Sequence, residues 1–210
     1  MVNLQKFHIQ AQELAWRELL RQGVSALPVQ VRAICRNLGI EICGFEAASP
    51  IMGRLIRKGR GQSEIKSYLM YTEGDPPVAT IFLDERRSPQ EIRFSIAREI
   101  GYFLLTMHKP QNLMPRDGII YTKARAEDAT KDIQATWFAH QLLGPTCILR
   151  ALGVKSIKDI QYFCDVSETI AGKSMGQLEQ LFKDPSSYSS KLEQWLGKNF
   201  KGFINEYRLR

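Results

Sequence analysis

The stretch that most constrains this chain is residues 92–105, Ile-Arg-Phe-Ser-Ile-Ala-Arg-Glu-Ile-Gly-Tyr-Phe-Leu-Leu. It reads as a mostly apolar helix with a central charged step, Arg98-Glu99, and Gly101 two positions on. Ser88-Pro89 open the helix, Ser88 as N-cap and Pro89 in the first turn, with Glu91 near the positive end of the dipole. The helix is expected to run to about Met107. Arg98 and Tyr102, four residues apart, then share one face.

An apolar helix with a central Glu-x-Gly step is the setting of the H-E-x-x-H motif. There two His at i and i+4 bind zinc from one face and the Glu acts as general base. Glu99 stands in the Glu position, but the two ligand positions hold Arg98 and Tyr102. Arg has no lone pair for a metal and stays protonated at any working pH. The sequence thus has the shape of a zinc peptidase without its zinc.

The rest of the chain surrounds this helix with ordinary globular material: 210 residues, 44% hydrophobic and 24% charged, enough to bury a sizeable core. No apolar run approaches the ~18–20 residues of a membrane span, and the N-terminus lacks a signal-peptide core, so a cytoplasmic location is expected. Cys35, Cys43, Cys147 and Cys164 form no Cys-x-x-Cys pair and read as reduced, mostly buried thiols. A net charge of +7 admits a nucleic acid or an acidic protein as partner without bearing on fold.

Along the chain, residues 3–21 carry Leu4, Phe7, Ala11, Leu14, Ala15 and Leu19 near helical spacing and stop at Gly23. A second helix is expected from Pro28 to Gly39. Short β-type runs follow at Ile40–Phe45, Met52–Arg57, Ser67–Thr72 and Val78–Asp84, a small and mostly antiparallel sheet. After the motif helix, residues 109–124 read as a loop with a short extended piece at Ile119–Thr122. A helix over Ala126–Leu143 is closed by Gly144-Pro145. Ser156–Phe163 and Ser167–Phe182 form a helix-turn-helix-like pair joined by Cys164-Asp165-Val166, with Ser167 as N-cap. Residues 186–210 place Leu192, Trp195, Leu196, Phe200, Phe203 and Ile204 at helical spacing, a tail that docks on the body or on a partner. The fold class is α+β, with domains at 1–150, 151–184 and 185–210.

Together these segments resemble the ImmA/IrrE family of zinc metallopeptidases over most of residues 25–183. Residues 24–42 are similar to the family's leading helix and its Leu-Gly-Ile step into a strand. In the motif helix the resemblance rests on Arg93, Phe94, Ser95, Ala97, Glu99 and Gly101. In the later helix it rests on Ala135, Phe138, Ala139, Leu142, Leu143 and Pro145. The resemblance implies a zincin-like domain. It also implies that the family's two ligand histidines fall on Arg98 and Tyr102, and its third ligand, a Glu, on Gln134. All three positions are changed and only Glu99 is retained. No catalytic residue, metal or cofactor is therefore expected, because a general base without metal-bound water has no nucleophile to activate.

The three histidines do not rebuild the site. His140 lies about 240° around the helix from Gln134 at ~100° per residue, His108 falls past the motif helix, and His8 belongs to the first helix. Arg98 would place a fixed charge in the former metal site and need an acidic partner. Glu127 shares the face of Gln134, Asp128 and Asp132 are less well aligned, and adjacent Glu99 is within reach of a long side chain. Tyr102 would fill the vacated volume and bond to Gln134 or to backbone.

Two other signals stand apart. Arg54, Arg57, Lys58 and Arg60, among Gly53, Gly59 and Gly61, form a basic hairpin suited to phosphates. The tail mixes Lys191, Lys198, Lys201, Arg208 and Arg210 with Trp195, Phe200 and Phe203. The leading expectation is a non-catalytic scaffold that binds a protein partner, such as a helix-turn-helix repressor or another regulator of a phage or mobile element. The alternatives are an active metallopeptidase with a rearranged metal site and a nucleic-acid-binding module using the basic hairpin.

Overall fold

The computed structural model of the chain describes residues 4–47, 66–72, 78–106, 119–122, 129–183 and 190–208. Its elements are α1 (Leu4–Arg21), α2 (Val31–Asn37), β1 (Ile40–Gly44), β2 (Ser67–Thr72), β3 (Val78–Leu83), α3 (Pro89–Thr106), β4 (Ile119–Thr122) and α4 (Ala129–Leu143). These are followed by α5 (Thr146–Leu152), α6 (Ile157–Cys164), α7 (Glu168–Lys183), α8 (Lys191–Asn199) and α9 (Lys201–Tyr207). The class is α+β, mostly helical with one small sheet. The residues group into two compact units, Val31–Ala135 and Met1–Gln30 with Thr136–Arg210. This grouping differs from a division in chain order at 150 and 184, because α1 packs with the C-terminal helices.

In the unit Val31–Ala135 the four strands run in the order β1-β3-β2-β4. β1 is parallel to β3, while β2 pairs antiparallel with both β3 and β4, so the sheet is mostly antiparallel. Ala79 to Leu83 are buried without alternation, as a strand covered on both faces requires. On one face Tyr68 stacks on Phe82 at 5.1 Å between ring centroids, with Cys43, Phe45 and Met70 packed around them. α3 packs on β2 and β3, and α2 on β1 and α3. Gly39, with φ of +69°, turns the chain from α2 into β1 through the left-handed region that favours glycine.

α3 starts where Ser88 and Glu91 close a reciprocal cap. The Glu91 N–H donates to Ser88 Oγ at 3.3 Å and the Ser88 N–H to Glu91 Oε2 at 3.4 Å. α2 opens at Val31 rather than at Pro28. The chain through Leu27, Pro28 and Val29 is instead non-helical, burying Leu27 and Val29, and Gln30 Nε2 donates to the Pro28 carbonyl at 3.1 Å. β1 ends at Gly44, and Phe45–Ala47 form a tight 3-10 turn. The expected strand Met52–Arg57 and residues 126–128 lie outside the described residues.

In the other unit α1 packs along α8, and α5 packs against α7, α8 and α9. α5, a seven-residue helix directly after Gly144-Pro145, has no counterpart in the sequence reading; its run is too short to show a helical period. The α6–α7 pair is present, with a full capping box at Ser156 and Asp159 and Ser167 capping α7. The tail is two helices broken at Phe200, whose ring is fully buried with Leu196. Asn199 Nδ2 donates to the Val24 carbonyl at 2.6 Å, so the tail docks on its own body.

A buried amide ties four helices of this unit together. Gln141 Oε1 in α4 accepts from the Trp16 indole N–H of α1 at 3.1 Å and from the Thr146 N–H and hydroxyl at 3.3 and 3.2 Å. Its Nε2 donates to Gln177 of α7 at 2.9 Å. Buried groups bonded this way cost their full desolvation when the partner is removed. Gln141→Ala is expected to lower stability by about 2–4 kcal/mol in urea denaturation. A loss below about 0.5 kcal/mol would show that Gln141 is not the tie described.

Candidate functional site

The site lies in the unit Val31–Ala135, where the middle of α3 meets the first turn of α4 and the start of β2. α3 is buried along much of its length, so its charged step goes inside: Glu99 is 1% exposed, Tyr102 is buried, and Arg98 is partly covered. Arg98 Nη2 donates to Asp132 Oδ1, and Arg98 Nη1 donates to Glu99 Oε1 at 3.2 Å. Tyr102 donates its hydroxyl to the same Asp132 Oδ1 at 3.1 Å. The Arg98 guanidinium carbon lies 5.2 Å from the centre of the Tyr102 ring, within cation–π range. Ser67, the first residue of β2, donates to Glu99 Oε1 at 2.7 Å. Thr106 lies one turn further along α3. Its hydroxyl donates to the Tyr102 carbonyl at 2.7 Å and sits 3.3 Å from the Tyr71 hydroxyl.

The electrostatics follow from burial and from that one cation. Burial pushes the Glu99 carboxyl above the ordinary carboxylate range, against the pull of Arg98 and Ser67. Burial alone would loosen the Arg98 proton, but Glu99 and Asp132 outweigh it and hold the guanidinium charged. Burial and then Asp132 push the Tyr102 phenol up, so it keeps its proton and acts as a donor. The site is a salt-bridged, hydrogen-bonded cluster with its cation built into the chain.

Of the acids that the sequence offers to Arg98, Asp132 and Glu99 are on the guanidinium, while Glu127 and Asp128 lie outside the described residues. Helical phase ranked Glu127 ahead of Asp132. The long Arg98 side chain reaches the first turn of α4, and its reach overrides a phase argument made from one helix alone. Tyr102 bonds to Asp132, which the sequence did not single out for it. Gln134 is buried in α4. Ser67 was missed. It reads only as the start of a strand, and nothing short of the pairing of β2 with β3 shows that it faces Glu99. The basic residues Arg54, Arg57, Lys58 and Arg60, and also His108, lie outside the described residues.

His140 and His8 have other work in the unit that holds α1. His140 is buried with Nδ1 3.1 Å from the Ser174 hydroxyl, and burial, with Lys173 nearby, pulls its imidazole down to about 4. The His8 ring stacks on Trp137 at 3.6 Å.

The donor set does not fit a zinc ion. Arg98 repels one, Tyr102 holds its proton, Gln134 offers a neutral amide, and Asp132 Oδ1 already accepts two hydrogen bonds. Among the described residues no group of three His, Cys, Asp or Glu is placed to hold a metal. No helix among them is long and apolar enough to cross a membrane.

The family model of the IrrE N-terminal-like domain, peptidase family M78, matches residues 52–180. That is more than half of the chain, and the chain belongs to this family. No curated protein gave a match.

Two outcomes follow for the cluster. Arg98→Ala leaves Glu99 buried without its cation and should cost about 2–3 kcal/mol, below the value for a fully buried pair because Asp132 and Arg98 are partly solvated. Urea denaturation at neutral pH measures it, and a change below about 0.5 kcal/mol would count against the pair. Glu99 binds its proton more tightly folded than unfolded. Its contribution to stability is therefore fully present below the ordinary Glu range and lost as pH rises through the raised value. Glu99→Gln should flatten that decline, gaining stability relative to the native chain at about pH 8 but not at about pH 4. Parallel pH profiles for the two proteins would refute the assignment.

Proposed function

We propose that this chain is a non-catalytic member of its family, a pseudo-peptidase whose scaffold holds a protein partner instead of cutting one. The observation that carries the reading is Arg98 itself. It stands in a metal-ligand position and engages Asp132 and Glu99 with a charge that cannot be removed. Hydrolysis by this family's chemistry needs a metal-activated water for the Glu to deprotonate. Here the retained Glu99 is buried, drawn toward its protonated form, and already held by Ser67 and Arg98.

The class of partner follows from the family resemblance. A scaffold shaped to engage repressor proteins, once unable to cleave them, sequesters them. A regulator of a phage or mobile element, met in the cytoplasm, is the partner this implies. The α6–α7 pair is read as the family's helix-turn-helix-like unit, packed on the body.

Metal uptake tests the reading. The native chain, purified without a His tag, should carry no stoichiometric zinc and bind none tightly. The triple variant Arg98→His, Tyr102→His, Gln134→Glu should take up about one zinc per chain, since it restores two His and one Glu. One tightly held zinc on the native chain would overturn the proposal. A folded triple variant that takes up none would show that these positions do not converge as the family's ligands do.

A further inference from the structure

The tail helices present a second feature that the former peptidase site leaves unexplained. α8 buries Leu196 against the body, and Phe200 follows it into the core. Its opposite face carries Lys191, Gln194, Trp195 and Lys198, spaced three to four residues apart and all exposed. Trp195 is 56% exposed, held between lysines one turn before and about one turn after it. Lys201 is exposed at the start of α9, directly after Phe200. A single exposed indole is ordinary by itself; what sets this one apart is the row of exposed lysines on its own helix face.

The acids of α8 and α1 are each paired with a cation, and α9 carries one exposed acid, Glu206, near its end. Glu193, the only acid of α8, is turned inward and held by Arg150. On α1, which packs along α8, Glu18 is buried on Arg21 and Glu13 pairs with Arg17. The Asn199–Val24 hydrogen bond places the end of α1, with Arg21, at the same end of the unit as Lys198 and Lys201. The face therefore offers cations and one flat π-surface, with no competing bare carboxylate on these two helices.

The geometry points to single-stranded nucleic acid as the occupant, its phosphates along Lys191, Lys198 and Lys201 and one base stacked on Trp195. One ring is too little apolar area to hold an amphipathic surface in a membrane or to form the centre of a protein interface. It is enough for a base, which needs only a ring face, while the lysines supply the sequence-independent part of the affinity. The chain's net charge of +7 favours the encounter. This binding does not depend on the fate of the zinc site, so either proposal can fail without the other.

The test is a titration of the full chain with a fluorescein-labelled oligothymidylate of about 20 nucleotides. Anisotropy reports binding and tryptophan emission reports stacking. Binding should quench the emission and weaken with salt with a log–log slope of about −2, as three phosphate contacts on a single strand predict. Trp195→Ala should weaken binding about tenfold and remove most of the quenching. Lys191→Glu with Lys198→Glu should weaken it at least as much; both changes are at exposed positions, and far-ultraviolet circular dichroism confirms that the variants fold. Three results would overturn the proposal. They are no binding at low salt, binding and quenching indifferent to these variants, or equal affinity for a duplex of the same length. Tight binding to phosphatidylserine vesicles with a blue-shifted emission, in place of the oligonucleotide, would also overturn it.

Discussion

A positive charge that cannot be titrated away sits at the junction of α3 and α4, and the side chains around it are arranged by its presence. Asp132 is drawn onto the guanidinium from α4, and Tyr102 adds its hydroxyl to the same oxygen while its ring lies beside the cation. Glu99, one residue along α3, is buried where a bare carboxylate would be costly, and it is tolerated because Arg98 and Ser67 both reach it. A metal ion could perform the same cross-linking between these helices. In this chain the cation is covalently part of one of them.

A guanidinium and a metal ion differ chemically in such a place. A zinc ion polarises water and leaves open coordination positions, whereas a guanidinium only donates hydrogen bonds and offers no Lewis acidity. The phenol beside it is locked as a donor by burial and by Asp132. The cluster is thus suited to holding two helices and a strand in register.

The sequence made the elements legible where a local rule acted alone. β2 and β4 have the bounds that their β-type runs suggest, and Ser88-Pro89 and Ser167 open the helices that their capping chemistry indicates. The family resemblance, read over residues 25–183, is confirmed over 52–180. What stayed hidden was long-range. Ser67 could not be linked to Glu99 without the strand pairing, and Asp132 could not be preferred on helical phase when the donor was a flexible Arg from another helix. The short α5 and the break at Phe200 carry no periodic signal of their own. Gln141 looks like any polar residue of a helix until Trp16, Thr146 and Gln177 are seen around it.

That amide has a bearing on how the chain is made. The unit Val31–Ala135 is continuous and leaves the ribosome whole, so its sheet and α3 can form as soon as they are synthesised. The other unit is split, α1 being made before the unit Val31–Ala135 and the helices that cover it arriving only with residues 136–210. Until then the indole of Trp16 has no Gln141 to bond, and the apolar face of Ala11, Ala15 and Leu19 has nothing to lie against. Of the two units, the split one is thus sheltered last, and through that interval α1 is open to chaperones and proteases.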